Sequence, residues 1–522
     1  MSKSNDQPRV FHRTCCPCGS HGAETMSRRT FLQGAGGVTF LGTAVTGLTW
    51  SAVAMAGAEG SAGPVRRPLV VKPILVYNTP RRRHQRSWRG WGGIQTEEDA
   101  AKEIKRITAE LDALAGKADF PVRFLAVSGM KNAAGLGGIS DIDKADVCLV
   151  YAAGGWIDTF DAIAEKGKDL IFFCRHKSGP IYQWYEIINP RYLRRHTDKL
   201  AVEGLDNSDV VIDSQDELLW RLRSLCGLRN TVGTRIIAVG GPSAWAQPRD
   251  VVPNLVRKKW GFDIQTVSYK QLGELIQAAR ADRAGVERAH KRAADYLASG
   301  QCTLETKREF LENAFVLDEV FRGIMNKAGC RAITINGCMG TIMPIAETSA
   351  CMTLSLLNDA GYLAFCESDF VVIPSGVLLA NISGKPVFLN DPTYPHDGLI
   401  TLAHCTAPRK MNGKDREPAR ILTHFESDYG AAPKVQMRKG QVVTNIIPDF
   451  AAEHWTGVLG EIVDVPFMDI CRSQIDIGYS CDDSVLAEKM RGFHWMTCYG
   501  DYLREVGYAV RKVGITLENL SA

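Results

Sequence analysis

From about residue 68 onward, short apolar runs alternate with helix-like segments, and this alternation constrains the fold more than any other feature. The run "LVVKPILVY" (69–77) reads as a strand. "TEEDAAKEIKRITAELDALA" (96–115) reads as an amphipathic helix, with Thr96 as N-cap and Glu98 in the first turn. "PVRFLAV", "ADVCLVYA" and "DLIFFC" are apolar runs bounded by turn signals. Such runs suit a parallel sheet covered on both faces. "SDVVIDSQDELLWRLRSLCG" predicts a strand and then a helix capped at Ser214.

A second unit of the same kind begins near "GTRIIAVGGPSAW" (233–245). A strand and two helices follow, then a long helix in "TLETKREFLENAFVLDEVFRGIMNKAG", a strand in "RAITINGC", a helix ended by Gly361 and a strand in "YLAFCES". "FVVIPSGVLLANISG" predicts a helix with Pro374 in its first turn. After Lys385 the texture changes to short strands at turn-rich spacing: "PVFLND", "GLITLAHC", "ARILTHF", "KVQMRKGQVVTNIIP", "EIVDVPF" and "QIDIGYS". A last helix, "DYLREVGYAVRKVG", is expected to close the chain. At 522 residues the chain is long enough for two or three domains. The expected fold class is α/β: two Rossmann-like α/β domains at 66–230 and 231–382, then a β-rich C-terminal domain, barrel or sandwich, at 383–522. No internal repeat is evident.

The formal charge of +4 is small for this length, and outside residues 1–56 basic and acidic residues nearly balance, which argues against a nucleic-acid binder. Residues 1–56 resemble a twin-arginine export signal. "SRRTFLQG" (27–34) carries Arg28-Arg29 before Phe31-Leu32, with Gln33 where Lys is usual. A moderately apolar stretch follows and ends in Ala54-Met55-Ala56, an A-x-A cleavage pattern. The resemblance implies export of the folded protein by the twin-arginine translocase to a periplasm or external face. Met26 is an alternative start. "CCPC" (15–18) then belongs to an overextended reading frame, or else it is a metal-binding tail. The remaining 12 cysteines lie largely in apolar runs and read as buried small hydrophobes, not as a disulfide framework.

The stretch "CESDFVVIPSGVLLANISGKPVFLND" (366–391) brackets a long apolar run with Glu367, Asp369 and Asp391. Glu367 and Asp391 each end a strand. A strand-helix-strand crossover would return both to one edge of a parallel sheet, where ligands bind. They are either ordinary strand-end turn residues or a pair that holds a divalent cation through oxygen.

The stretch resembles the metal region of the L-fucose isomerase and L-arabinose isomerase superfamily. The resemblance is carried by Glu367, "ISGKP" (382–386) and "FLND" (388–391) in order and at that spacing, and by "GFHWMTCYGDYLREVG" (492–507) before the last helix. It covers 330–522 in motif and 68–330 in outline. It implies that Glu367, Asp391 and His494 bind a divalent metal, Mn²⁺ or another, and that Glu367 and Asp391 also move protons in aldose–ketose isomerisation of a sugar. The metal would stabilise an enediolate. It further implies a homo-oligomer. His404, ending "LITLAHC", is by the same resemblance a fourth ligand or a substrate contact; otherwise it is a buried histidine with a backbone partner.

Other candidates stay open. Asp369 either orders Glu367 or begins the following helix. Glu347 either approaches the pocket or caps Thr348-Ser349. The loop "NTPRRRHQRSWRGWGG" (78–93) suits an anionic or sugar ligand, or a subunit contact. "YAAGGWIDTF" (151–160) is not a GxGxxG fingerprint, and the chain carries neither a P-loop nor GxSxG. The competing function is a periplasmic carbohydrate-binding protein without turnover.

Overall fold

The structure is a computed structural model that describes residues 63–521 apart from Glu186 and His196. The export signal and "CCPC" lie outside the described residues. The fold combines parallel α/β sheets with a closed antiparallel barrel at its C-terminal end.

The first sheet contains β1 (Leu69–Val76), β2 (Val122–Phe124), β3 (Ser128–Met130), β4 (Val147–Ala152), β5 (Asp169–Cys174) and β6 (Val210–Ile212). All its pairings are parallel, in the order β2-β1-β4-β5-β6, with β3 also on β1. "PVRFLAV" supplies only β2, and β3 begins just beyond it at Ser128. Strand β4 explains the layering. Val147, Leu149 and Tyr151 enter one core, while Cys148, Val150 and Ala152 enter another on the opposite face. Side chains alternate along a strand, so a strand apolar at every position must be covered twice. The helix Glu97–Lys117 starts as its sequence predicts, with the Thr96 hydroxyl and the Asp99 carboxylate closing a reciprocal cap. Ser214 caps Gln215–Thr231 in the expected way.

The second sheet is also parallel, in the order β11-β10-β7-β8. Its strands are β7 (Arg235–Val239), β8 (Asp263–Val267), β10 (Ala332–Ile335) and β11 (Leu363–Phe365). Strand β9 (Cys302–Leu304) does not join it. It pairs instead with β14 (Ala419–His424), which pairs with β15 (Tyr429–Val435) in a small separate sheet.

The barrel is built from β12 (Phe388–Pro392), β13 (Leu399–His404), β16 (Val442–Ile447), β17 (His454–Asp464), β18 (Ser473–Tyr479) and β19 (Trp495–Tyr499). They run β16-β19-β12-β13-β18-β17, and β16 pairs back with β17 to close the ring. Of the two architectures open in the sequence, a barrel forms. "KVQMRKGQVVTNIIP" divides between β15 and β16 in two sheets. The helix Leu503–Arg511 is not the last element: β20 (Thr516–Asn519) follows and pairs in parallel with β17.

The helix Ile373–Ser383 is buried along its whole length, with Pro374 in its first turn. A Cβ on Gly376 would stand 2.5 Å from Met496 Cε and 2.7 Å from Phe365 Cε1, so only glycine lets this helix approach both β11 and β19 so closely. Its other side meets Gln215–Thr231, where Asn381 Nδ2 donates to the Asn230 carbonyl at 3.0 Å. One continuous apolar core therefore runs from the first sheet through this helix to the barrel and the helix Leu503–Arg511. All twelve cysteines among the described residues are free thiols.

Glu417, ahead of β14, accepts hydrogen bonds from Tyr499 Oη at 2.9 and 3.1 Å and from the Arg438 N–H at 3.0 Å. Burial pushes its carboxyl up to about 7 against the pull of these bonds. The folded value lies above the ordinary one, so the folded state favours the proton. The stabilisation is complete below the unfolded value and is lost as pH rises through about 7. Glu417→Gln, which cannot ionise, is expected to gain stability over wild type near pH 8 relative to about pH 5 in melts at the two values.

Candidate metal centre

The site lies where the second parallel sheet meets the barrel. Glu367 comes from the end of β11 and Asp391 from β12, so the two carboxylates stand on different sheets. The expectation of a shared sheet edge is corrected here. After β11 the chain enters the buried helix Ile373–Ser383 and emerges as a barrel strand paired antiparallel with β13 and β19. The residues still meet, and the barrel register explains how. Strands β12 and β19 pair Asn390 with Trp495, so the next step places Asp391 opposite His494. Strands β12 and β13 pair Asp391 with Ala403, which sets His404 beside the same point. The chain of bonds from Asn390 Nδ2 to Thr497 Oγ1 (2.9 Å) and from Thr497 Oγ1 to Asn445 Oδ1 (2.7 Å) ties β12, β19 and β16 together beneath it.

The resulting geometry is tight. His494 Nε2 stands 3.2 Å from Asp391 Oδ1 and 3.3 Å from Glu367 Oε2. His404 Nε2 stands 3.6 Å from Glu367 Oε1. Ligand atoms of Asp391, His404 and His494 lie within 4.8 Å of one another, as do those of Cys366, Glu367 and His404. Both histidines are buried, and Glu367, with 22% of its side chain exposed, is the more open of the carboxylates.

Asp369 has a different partner from the one expected. Its Oδ2 lies 2.7 Å from His494 Nδ1. Its Oδ1 accepts the N–H of Trp245 at 3.2 Å and that of Val371 at 3.1 Å. It therefore orders His494, not Glu367, while also holding the start of the helix that follows. With Nδ1 directed at Asp369, Nε2 faces Glu367 and Asp391 and is the ring atom a cation would take on displacing its proton. That carboxylate–histidine arrangement is how proteins aim a ring nitrogen at a metal. The loop after β7 completes the support, since Ser243 N–H donates to the Ser368 carbonyl and Phe370 N–H to the Ser243 carbonyl, each at 3.1 Å. His404 Nδ1 pairs with Thr406 Oγ1 at 3.0 Å, so its partner is a side-chain hydroxyl and not backbone.

The electrostatics are those of a charged nest. Burial alone would raise the Glu367 carboxyl, but His494 and His404 outweigh it and hold the group well below the usual carboxylate range. Burial alone would lower both imidazoles, yet the carboxylates around them push both up. Four ionisable side chains thus crowd one point, with His494 Nε2 buried and making no hydrogen bond of good geometry. This donor set, carboxylate oxygen and imidazole nitrogen, fits a divalent cation. Trp245 stacks on Phe493 at 4.7 Å between ring centres, and Phe493 meets the His494 ring edge-on.

Glu347 is not part of this group: its Oε1 pairs with Arg280 at 2.9 Å. The loop 81–89 extends from the carboxyl end of β1 in the first sheet, largely exposed. Cys366 is the site residue that sequence reasoning missed, although it immediately precedes Glu367.

Asp369→Asn is expected to keep the fold and weaken the cation by about 10–100-fold, because an amide orients the His494 ring less well. A Mn²⁺ titration checks this.

No protein-family model matches the chain, and no curated protein matches it.

Proposed function

We propose that the protein is a metal-dependent sugar isomerase-like enzyme that interconverts an aldose and a ketose. The reading joins the sequence resemblance of residues 330–522 to one observation: Glu367, Asp391, His404 and His494, from distant parts of the chain, converge on one point. In this reading residues 66–230 and 231–382 are two Rossmann-like domains ahead of the barrel, and the protein is exported folded and works as a homo-oligomer.

A divalent cation bound here, Mn²⁺ or another, would act as a Lewis acid toward the negative charge that develops on adjacent sugar oxygens. The chain's own residues supply the rest. Isomerisation moves one proton from C2 to C1 and one from the C2 oxygen to the C1 oxygen. Glu367 and Asp391 are the two carboxylates placed to carry them. Glu367, held anionic by the two imidazoles, carries no proton of its own and is the group placed to take the carbon-bound proton and return it to the neighbouring carbon. Asp391 then passes the proton between the oxygens. His494, fixed by Asp369, binds and does not exchange protons with the substrate. The Trp245–Phe493 stack offers a flat apolar face to the C–H side of a sugar.

That same stack supports the second reading, a carbohydrate-binding protein without turnover. A screen of aldoses for ketose formation separates the two. The isomerase reading expects turnover with added Mn²⁺ that stops with chelator. Binding of sugars with no ketose formed under either condition would favour the binding protein.

A further inference from the structure

Cys366 and Glu367 are consecutive residues directly after β11. In an extended chain their side chains would point to opposite faces. Here Cys366 Sγ, a Glu367 oxygen and a His404 ring nitrogen all lie within 4.8 Å of one another. The cause is a backbone turn in which Glu367 has φ +63° and Ser368 has φ +48°. Both are non-glycine residues in the left-handed region, each costing about 1–2 kcal/mol. The Ser368 N–H donates to Thr334 Oγ1 at 3.1 Å, and the loop at Ser243 grips the Ser368 carbonyl, so the surrounding structure enforces the turn. Glycine at 367 would relieve the strain and remove a carboxylate from the site. Strain of this kind is kept where it positions functional groups. What it achieves here is to deliver a sulfur and a carboxylate, side by side, to the ring of His404.

We propose that Cys366 is a ligand of the cation on the side of the site formed by Glu367 and His404, so that the centre is a mixed nitrogen, oxygen and sulfur site. This rests on the metal reading above and sharpens it. Carboxylate and imidazole alone accept Mn²⁺ or Mg²⁺. A thiolate shifts the preference toward Zn²⁺, Fe²⁺ or Co²⁺, which bind sulfur more strongly. Sulfur and nitrogen or oxygen ligands on one tetrahedral ion stand about 3.6 Å apart, inside the 4.8 Å that spans Cys366, Glu367 and His404. Binding replaces the thiol proton by the metal, and that proton leaves to solvent. The alternative is that Cys366 only packs against its neighbours as a small apolar side chain.

Cobalt distinguishes these outcomes without any assay of activity. The full chain, stripped with chelator and titrated with Co²⁺, is expected to develop a near-ultraviolet thiolate-to-cobalt charge-transfer band that saturates with the visible ligand-field bands. Cys366→Ser is expected to lose the charge-transfer band and keep the visible bands at weaker affinity, while Cys405→Ser keeps both. Visible bands without charge transfer in wild type, or charge transfer that survives Cys366→Ser, overturns the proposal and leaves the metal centre standing. If no cobalt binds at all, the metal reading falls with it. X-ray absorption on zinc-loaded wild type needs no variant: one sulfur at about 2.3 Å is expected, and a shell of nitrogen and oxygen alone contradicts the assignment.

Discussion

Glu367→Gln is expected to weaken Mn²⁺ binding by more than about 100-fold, since loss of even an outer partner of a ligand costs about 10–100-fold. Turnover of any aldose substrate should fall by about 10²–10⁴-fold, the usual contribution of a positioned general base. The reasons are local. Glutamine keeps the size and one oxygen but removes the charge that faces both His494 and His404. It tolerates the left-handed backbone at 367 no worse than glutamate, so the fold should persist, and unchanged circular dichroism would attest it. A variant that binds Mn²⁺ like wild type would show that Glu367 is a turn residue and nothing more.

The second large effect concerns how the chain's far end is held. Asp209 is fully buried beside β6 and gathers three donors from the last helical segment: Tyr508 Oη at 2.7 Å, Arg511 Nη2 at 2.9 Å and Lys512 Nζ at 2.7 Å. Asp209→Ala would take from Lys512, whose side chain is almost wholly buried, the carboxylate it pairs with, leaving Asp206, which pairs with Arg511 at 2.8 Å, as the nearby anion. Breaking a buried ion pair in this one-sided way costs about 3–5 kcal/mol. The helix Leu503–Arg511 is packed against Gln215–Thr231, so the loss should appear as a lower midpoint of the first urea transition. Removing Lys512 as well, as Lys512→Met, should recover part of it. A midpoint unchanged by Asp209→Ala contradicts this view of the docking.

The same residues show what a sequence reader can see. Helix starts at Thr96 and Ser214 are legible because a cap is made within three residues. The parallel strands are legible because burial on both faces leaves unbroken apolar runs, as in "VCLVYA". Sheet membership is not, because it depends on partners far away: nothing local tells that β9 pairs with β14, or that β12 leaves the parallel sheet for a barrel. Strand β19 passed unnoticed for a related reason. "WMTCY" is a buried run too short for any periodicity to separate strand from helix. At the site, Glu367, Asp391 and His494 are singled out by the order and spacing of the motifs that carry the family resemblance. The role of Asp369 was not, since its target lies 125 residues away. Cys366 was hidden by a positive φ at a glutamate, which no residue type announces.

The central claim is that a divalent cation sits among Glu367, Asp391, His404 and His494. Metal content tests it most directly. Protein stripped with chelator and then dialysed against Mn²⁺ or Zn²⁺ is expected to carry one ion per chain, and Glu367→Gln treated identically should carry far less. Wild type that remains metal-free after both dialyses would contradict the account.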